Sequence, residues 1–178
     1  MDPWNDEHWP VRDDMEYRKR VMGEFRPSGT LHAMMGIPGS GKSTVADDIK
    51  RRYNAIRINP DEIRRMLTGD PNSQDQNAEV FSIAHRSTEA NLRQGNHVIF
   101  DATNTTPQAR STLTRIADKA GAKKHLHVVN PGLGVASQRN RDRSERVVPQ
   151  EILDRMHQEV LDSTESIPNE GWHEITYH

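Results

Sequence analysis

The chain alternates short apolar runs with longer stretches of helical spacing. Apolar runs at 30–35, 55–59, 96–101 and 125–129 each predict a strand. Their brevity and continuity suit strands buried on both faces. A helix is expected to start at Ser43 and run to about Tyr53. A second opens at Pro60, with Asp61 and Glu62 in its first turn where the helix dipole favours acids, and runs to Leu67. Residues 68–73 read as a loop. Residues 77–94 read as a helix presenting Val80, Ile83, Ala84 and Leu92, with Gly95 as its stop. Thr106-Pro107 opens another helix that ends near Gly121. Further helices are expected near 133–142 and 149–165, and a final strand at 172–177.

This order predicts an α/β fold, a parallel β-sheet flanked by helices on both faces. Residues 1–28 stand outside the alternation and read as an N-terminal appendage to a domain at 29–178. The appendage is polar, with Trp4 and Trp9 beside Pro3 and Pro10, a short helix expected at 13–25, and Pro27-Ser28-Gly29 as its end. The tryptophans read as packing groups, with binding of a base as the alternative.

Composition narrows the class. The chain has 178 residues, enough for one compact domain with a core of its own. Apolar residues make up 33 % and charged residues 28 %, polar for a globular domain. No apolar run reaches membrane-spanning length and no secretory pattern opens the chain, so a cytoplasmic protein with no membrane partner is expected. The absence of cysteine excludes disulfides, thiolate metal sites and cysteine nucleophiles. The formal net charge of −2 makes the whole chain no general nucleic-acid binder. Basic residues do cluster locally at Arg64-Arg65 and at Arg139, Arg141, Arg143 and Arg146, which read either as phosphate-binding surface or as solvated helix faces. The nine histidines show no metal-ligand spacing. His125 and His127 share one face of a strand and read as structural or near-surface groups rather than ligands.

Residues 36–44, Gly-Ile-Pro-Gly-Ser-Gly-Lys-Ser-Thr, carry the most specific chemistry. They fit the phosphate-binding loop at Gly36, Gly41, Lys42 and Ser43, between an expected strand and an expected helix. Glycines at 36, 39 and 41 permit close approach and unusual backbone angles. The loop's N–H groups and those of the next helix form a donor nest for phosphate oxygens. Lys42 adds charge at the β- and γ-phosphates, and Ser43 offers a hydroxyl to Mg²⁺. A nucleoside triphosphate donor follows.

Ligands of parallel sheets sit at the carboxyl ends of the strands. Asp61, just past the second strand, could take a proton from an attacking hydroxyl, and Arg64 one turn on could clamp an acceptor phosphate. The alternative is a helix-capping acid with an i,i+3 ion pair. Asp101, ending the third strand, suits a metal-side acid accepting from Ser43 or from Mg²⁺-bound water. Thr103 and Asn104 lie on the same rim, with capping of the next helix as their alternative. Arg139 and Arg143, spaced i,i+4, suit a lid closing on the triphosphate at about 136–149.

These four pieces, in this order, resemble the phage-type polynucleotide 5′-kinases of the P-loop kinase group. The loop matches that family from Gly36 to Thr44, the acceptor motif matches at Ile58, Asn59, Asp61 and Arg64, and Thr103-Asn104 matches after the third strand. The lid pattern matches at Arg139, Asn140, Arg143, Val148 and Pro149. The resemblance spans about 30–165 and implies a P-loop kinase fold with a helical arginine-bearing lid. It implies Asp61, Lys42 and Arg143 as catalytic residues. Gly36, Pro38, Gly39, Ser40, Gly41, Lys42, Ser43, Thr44, Arg139 and Arg143 would bind the nucleotide. Asp61, Arg64, Thr103 and Asn104 would meet the acceptor, and Ser43 and Asp101 would serve Mg²⁺. The activity implied is transfer of the γ-phosphate of ATP, or another nucleoside triphosphate, to a 5′-hydroxyl end of DNA or RNA. Pro60, Glu62 and Ala102 depart from the family pattern around the acceptor. They leave open a kinase of 5-hydroxymethyl-pyrimidines within DNA or a small-molecule kinase. A nucleotide-driven ATPase switch is the reading from another class. It lacks support because the arginines come from the chain itself.

Overall fold

The computed structural model describes residues 29–70, 73, 76–144 and 146–178. The appendage, with Trp4, Trp9 and its expected helix, lies outside the described residues.

Strand β1 (Thr30–Met35) leads through the glycine-rich loop into helix α1 (Lys42–Tyr53). Strand β2 (Ile56–Ile58), helices α2 (Pro60–Thr68) and α3 (Asn77–Arg93), strand β3 (Val98–Phe100) and helix α4 (Pro107–Ala120) follow. The chain continues through β4 (Lys123–Val128), α5 (Leu133–Arg141), α6 (Gln150–Ser163), a 3₁₀ turn (Ile167–Asn169) and β5 (Glu174–Tyr177). The strands form one five-stranded sheet in the order β2-β3-β1-β4-β5, and every pairing is parallel. Among the described residues no helix is long and apolar enough to cross a membrane.

The two faces of β1 show why the sheet needs helices on both sides. Leu31, Ala33 and Met35 join a large core with Leu92 of α3, Leu113 of α4 and Leu153 of α6. Met34 turns the other way, onto Ala46 and Ile49 of α1 and Ile99 of β3. Side chains alternate along a strand, so a run apolar at both parities is stable only between two layers.

Local signals set most boundaries. Thr106 caps α4 by accepting the Ala109 N–H at 3.3 Å, with Pro107 in the first turn. Asn54 takes a left-handed conformation (φ 50°) to end α1, which shortens β2 at its start. Strand β4 begins two residues before the apolar run. Lys123 and Lys124 pair with Thr30 and Leu31, and their polar side chains hide the strand from a hydrophobicity reading.

The α1 face of the sheet also holds a polar seam. His32 on β1 lies in register with His125 on β4 and is 2 % exposed. Its Nδ1 stands 3.1 Å from His127 Nε2, and its Nε2 stands 3.4 Å from His97 Nδ1. His127 Nδ1 stands 3.1 Å from His178 Nε2. Burial, then neighbouring imidazoles, push His32 down to about 4 and His127 to about 3, so both are neutral at ordinary pH. His125 and His127 are thus parts of one internal cluster with His32 rather than separate near-surface groups.

Candidate active site

The carboxyl ends of β1, β2 and β3 bring the expected pieces to one rim. The glycine-rich loop takes the shape its residue types allow. Gly39 has φ +84°, and a Cβ there would meet the Ala136 carbonyl oxygen of α5 at 2.2 Å. The loop and the lid helix therefore pack backbone to backbone, which only glycine permits. Helix α1 opens at Gly41 with no side-chain cap and no acid in its first turn, so its leading N–H groups are left for an anion. Ser40 is buried, and its Oγ is without a hydrogen-bond partner. An orphaned donor inside the nest and an uncapped helix start together fit a bound phosphate.

Lys42 Nζ donates to the Ile37 carbonyl at 3.0 Å, closing the loop on itself. Burial pushes its ammonium down to about 8, Arg143 pushes the same way, and Asp101 and Asp61 act against them. The four charges thus share one small space. A triphosphate would hold the proton on Lys42. Nucleotide affinity should therefore fall as pH rises above about 8, by about tenfold per unit until the bound-state value is reached. Equilibrium nucleotide titrations across pH measure this, and Lys42→Arg, charged throughout, should flatten the profile. Stability moves oppositely. Between about 8 and 10.5 the unfolded chain holds the proton that folded Lys42 has lost, so this group adds stability as pH rises through that window.

Asp61 stands in the first turn of α2, and the cap belongs to its neighbour. Asn59 Oδ1 accepts the Asp61 N–H at 2.8 Å, which frees the Asp61 carboxylate from capping. That carboxylate takes Nη1 of Arg64 on its own helix and Nη1 of Arg146 from the lid loop at 3.3 Å. The i,i+3 ion pair is therefore real, and Arg146 was not singled out by the motifs. Arg64 departs from expectation. It is 5 % exposed, and its Nη2 donates to Asn77 Oδ1 at 2.7 Å. Its fork positions Asp61 from inside rather than reaching outward from the rim.

Thr103 and Asn104 brace the loop. The Thr103 carbonyl accepts the Gly36 N–H at 2.9 Å. Asn104 is buried, with φ +45°, and its amide donates to the Met34 carbonyl at 2.6 Å. Asn104 thus supports the loop through its side chain, and helix capping falls to Thr106.

Asp101 is buried and its Oδ2 accepts from Arg57 Nε at 2.9 Å, while Arg57 Nη1 reaches Asp47 of α1 at 2.9 Å. Arg57 was also missed. The available signal was a lone arginine between two isoleucines of a short strand, where a charge requires a partner. In the lid, Asn140 is buried and pairs both ways with the Val148 backbone, at 2.8 and 3.0 Å. That brace closes the loop bearing Arg143 and Arg146. Arg139 Nη1 lies 3.4 Å from the Ser40 carbonyl, and Arg143 is exposed near Lys42.

A sequence profile of AAA_33, described as an AAA domain, matches residues 31–162. The chain belongs to the AAA_33 family. Known proteins agree on its fold. A chain of the Pnkp1/Rnl/Hen1 RNA repair complex superposes on this AAA_33 domain with TM-score 0.70 and 24 % identity, over 78 % of this chain and 46 % of that one. A gluconokinase from Sinorhizobium meliloti 1021 gives TM-score 0.53 and 20 % identity, over 85 % and 82 %. An uncharacterized protein of Mycobacterium tuberculosis is 34 % identical over 95 residues, 46 % of this chain and 19 % of that protein. The chain spans 5 % to 19 % of the length of the curated relatives it matches. This AAA_33 domain has the P-loop kinase fold, with a nucleoside triphosphate as the phosphate donor that fold implies.

Proposed function

We propose that the chain transfers the γ-phosphate of ATP, or another nucleoside triphosphate, to a hydroxyl of a nucleic acid, the 5′-hydroxyl end of DNA or RNA. The observation carrying this reading is the Asp61 carboxylate. It lies past β2, freed from capping, held by Arg64 and Arg146, and close enough to Lys42 to influence its charge. The relation to the RNA repair chain supports a polynucleotide acceptor.

In this reading Asp61 accepts the proton of the acceptor hydroxyl as its oxygen attacks the γ-phosphorus, and the bond to the β-phosphate oxygen breaks to release the diphosphate. Lys42, Arg139 and Arg143 stabilise charge spread over the transferring group. Arg64 positions Asp61, and Arg146 couples lid closure to the same carboxylate. The exposed Ser43 at the head of α1 and the buried Asp101 fit Mg²⁺ at the triphosphate, whose charge would neutralise the β- and γ-oxygens.

The test is transfer from γ-labelled nucleotide to separate acceptors. The arms are 5′-hydroxyl DNA and RNA oligonucleotides, a 5′-phosphorylated duplex with internal hydroxymethyluracil, and small alcohols including gluconate. Label on the 5′-hydroxyl oligonucleotides is expected. Label on the duplex alone would mark a base kinase, and label on a small alcohol alone a metabolite kinase. Either result would overturn the polynucleotide-end reading.

A further inference from the structure

We propose that His32, His125 and His127 form a binding site for a divalent transition-metal ion of the zinc type, tying β1 to β4 on the face opposite the main core. One ligand atom from each of the three imidazoles lies within 4.8 Å of the others. The backbone converges them. His32 pairs in register with His125, and His127 follows two positions on, so all three project from one face of adjacent strands.

The distances are close to what a tetrahedral ion needs. Zinc–nitrogen bonds of about 2.0–2.1 Å place two ligating nitrogens about 3.3 Å apart. His32 Nδ1 and His127 Nε2 already stand 3.1 Å apart. Both His125 ring nitrogens face other groups, Thr176 Oγ1 at 2.8 Å and Glu174 Oε2 at 3.5 Å, so its ring must turn and release one of them to complete a three-nitrogen set, with water in the fourth position.

The outer groups are the stronger argument. A metal-bound imidazole donates its remaining N–H to a neighbour that fixes its ring. His32 has His97 Nδ1 at 3.4 Å for its Nε2, and His127 has His178 Nε2 at 3.1 Å for its Nδ1. His125 Nε2 stands 2.8 Å from Thr176 Oγ1, and its Nδ1 lies 3.5 Å from Glu174 Oε2. His32 and His127 thus each have an outer partner for the nitrogen the metal leaves free, and on His125 only one of the two contacts, Thr176 or Glu174, survives ligation. With no cysteine in the chain, the donors are nitrogen, which suits Zn²⁺, Cu²⁺ or Ni²⁺ over Mg²⁺. The three histidines sit within strands β1 and β4 rather than on the segments after the strands that carry Asp61 and Lys42, so the ion's role would be structural.

The test is Zn²⁺ titration of the metal-stripped full chain by calorimetry, with the melting temperature followed in parallel. One saturable equivalent and a raised Tm are expected. His125→Gln and His127→Gln should each weaken binding by tenfold or more, while His157→Gln on α6 should leave it unchanged. Should the histidine variants fail to fold, the unaltered chain decides the matter. Imidazole nitrogen resonances of His32, His125 and His127 should shift together to an endpoint at one equivalent, and Co²⁺ should give the visible bands of a tetrahedral site. No saturable equivalent, or binding unmoved by the His125 and His127 changes, would overturn the proposal and leave a neutral hydrogen-bonded array. The outcome is independent of the acceptor, because binding is read without turnover.

Discussion

Asp61→Asn should reduce phosphoryl transfer by about 10²- to 10⁴-fold, the range expected when a general base is lost. Asparagine keeps the side chain's size and leaves an oxygen for Arg64 and Arg146, so the lid contact and the head of α2 should survive. Nucleotide affinity should change little, because the donor nest is built from the loop, Lys42 and the start of α1. Single-turnover transfer and equilibrium nucleotide binding, measured on the same preparation, separate the two effects. Near-normal transfer in this variant would remove Asp61 from the chemistry, and loss of nucleotide binding would make it part of the donor site. Arg64→Met should fall between, because the carboxylate remains while the guanidinium that orients it is gone.

Arg110→Met should lower stability by about 2–3 kcal/mol, short of the full cost of splitting a buried ion pair because its partner Glu170 keeps some contact with solvent. Arg110 is 0 % exposed. Its Nε and Nη2 reach the two carboxylate oxygens of Glu170 at 2.8 and 2.7 Å. Its Nη1 donates to the carbonyls of Thr105 at 2.8 Å and Asn104 at 3.1 Å. One side chain therefore fastens α4, the 103–105 segment under the phosphate loop, and the turn before β5. Removing it leaves the Glu170 carboxylate only Trp172 and Ser166, and the Thr105 carbonyl only Ser163, as side-chain donors. Burial raises the Glu170 carboxyl, but hydrogen bonds from Arg110 and Trp172, with the Arg110 charge, outweigh it and hold the group below its usual value. That stabilisation is complete at neutral pH and fades as pH falls through the carboxylate range. Denaturant unfolding at neutral pH measures the loss. Part of it should appear as weaker nucleotide binding, since Thr103 and Asn104 sit on this brace.

Parts of the site are written in local sequence and parts exist only in the folded chain. The nucleotide loop was legible because its chemistry is local. Backbone N–H groups, a helix start and one lysine within nine positions are all it needs. Asp61 was legible in place but not in company. Arg64 could be paired with it by helical spacing, whereas Arg146 is 85 positions away and comes to it only by folding. Arg64 and Asn104 were expected to face the acceptor. Both are buried by neighbours, Asn77 and the Met34 carbonyl, that no spacing rule connects to them. The His32, His125 and His127 cluster was invisible because its members join through strand register across 95 positions rather than through a short motif.

The sequence by itself determined the layered α/β class, the parallel strands, most helix boundaries and the donor loop. Those follow from periodicity, capping residues and glycine placement, which act within a few residues of one another. Only the tertiary structure decided which charges face each other. Arg57 with Asp101, Arg110 with Glu170, Arg146 with Asp61, and three imidazoles on one face are pairings between distant segments. Buried charge and polarity are stable only with a partner, and strand order and the packing of helices onto the sheet choose that partner.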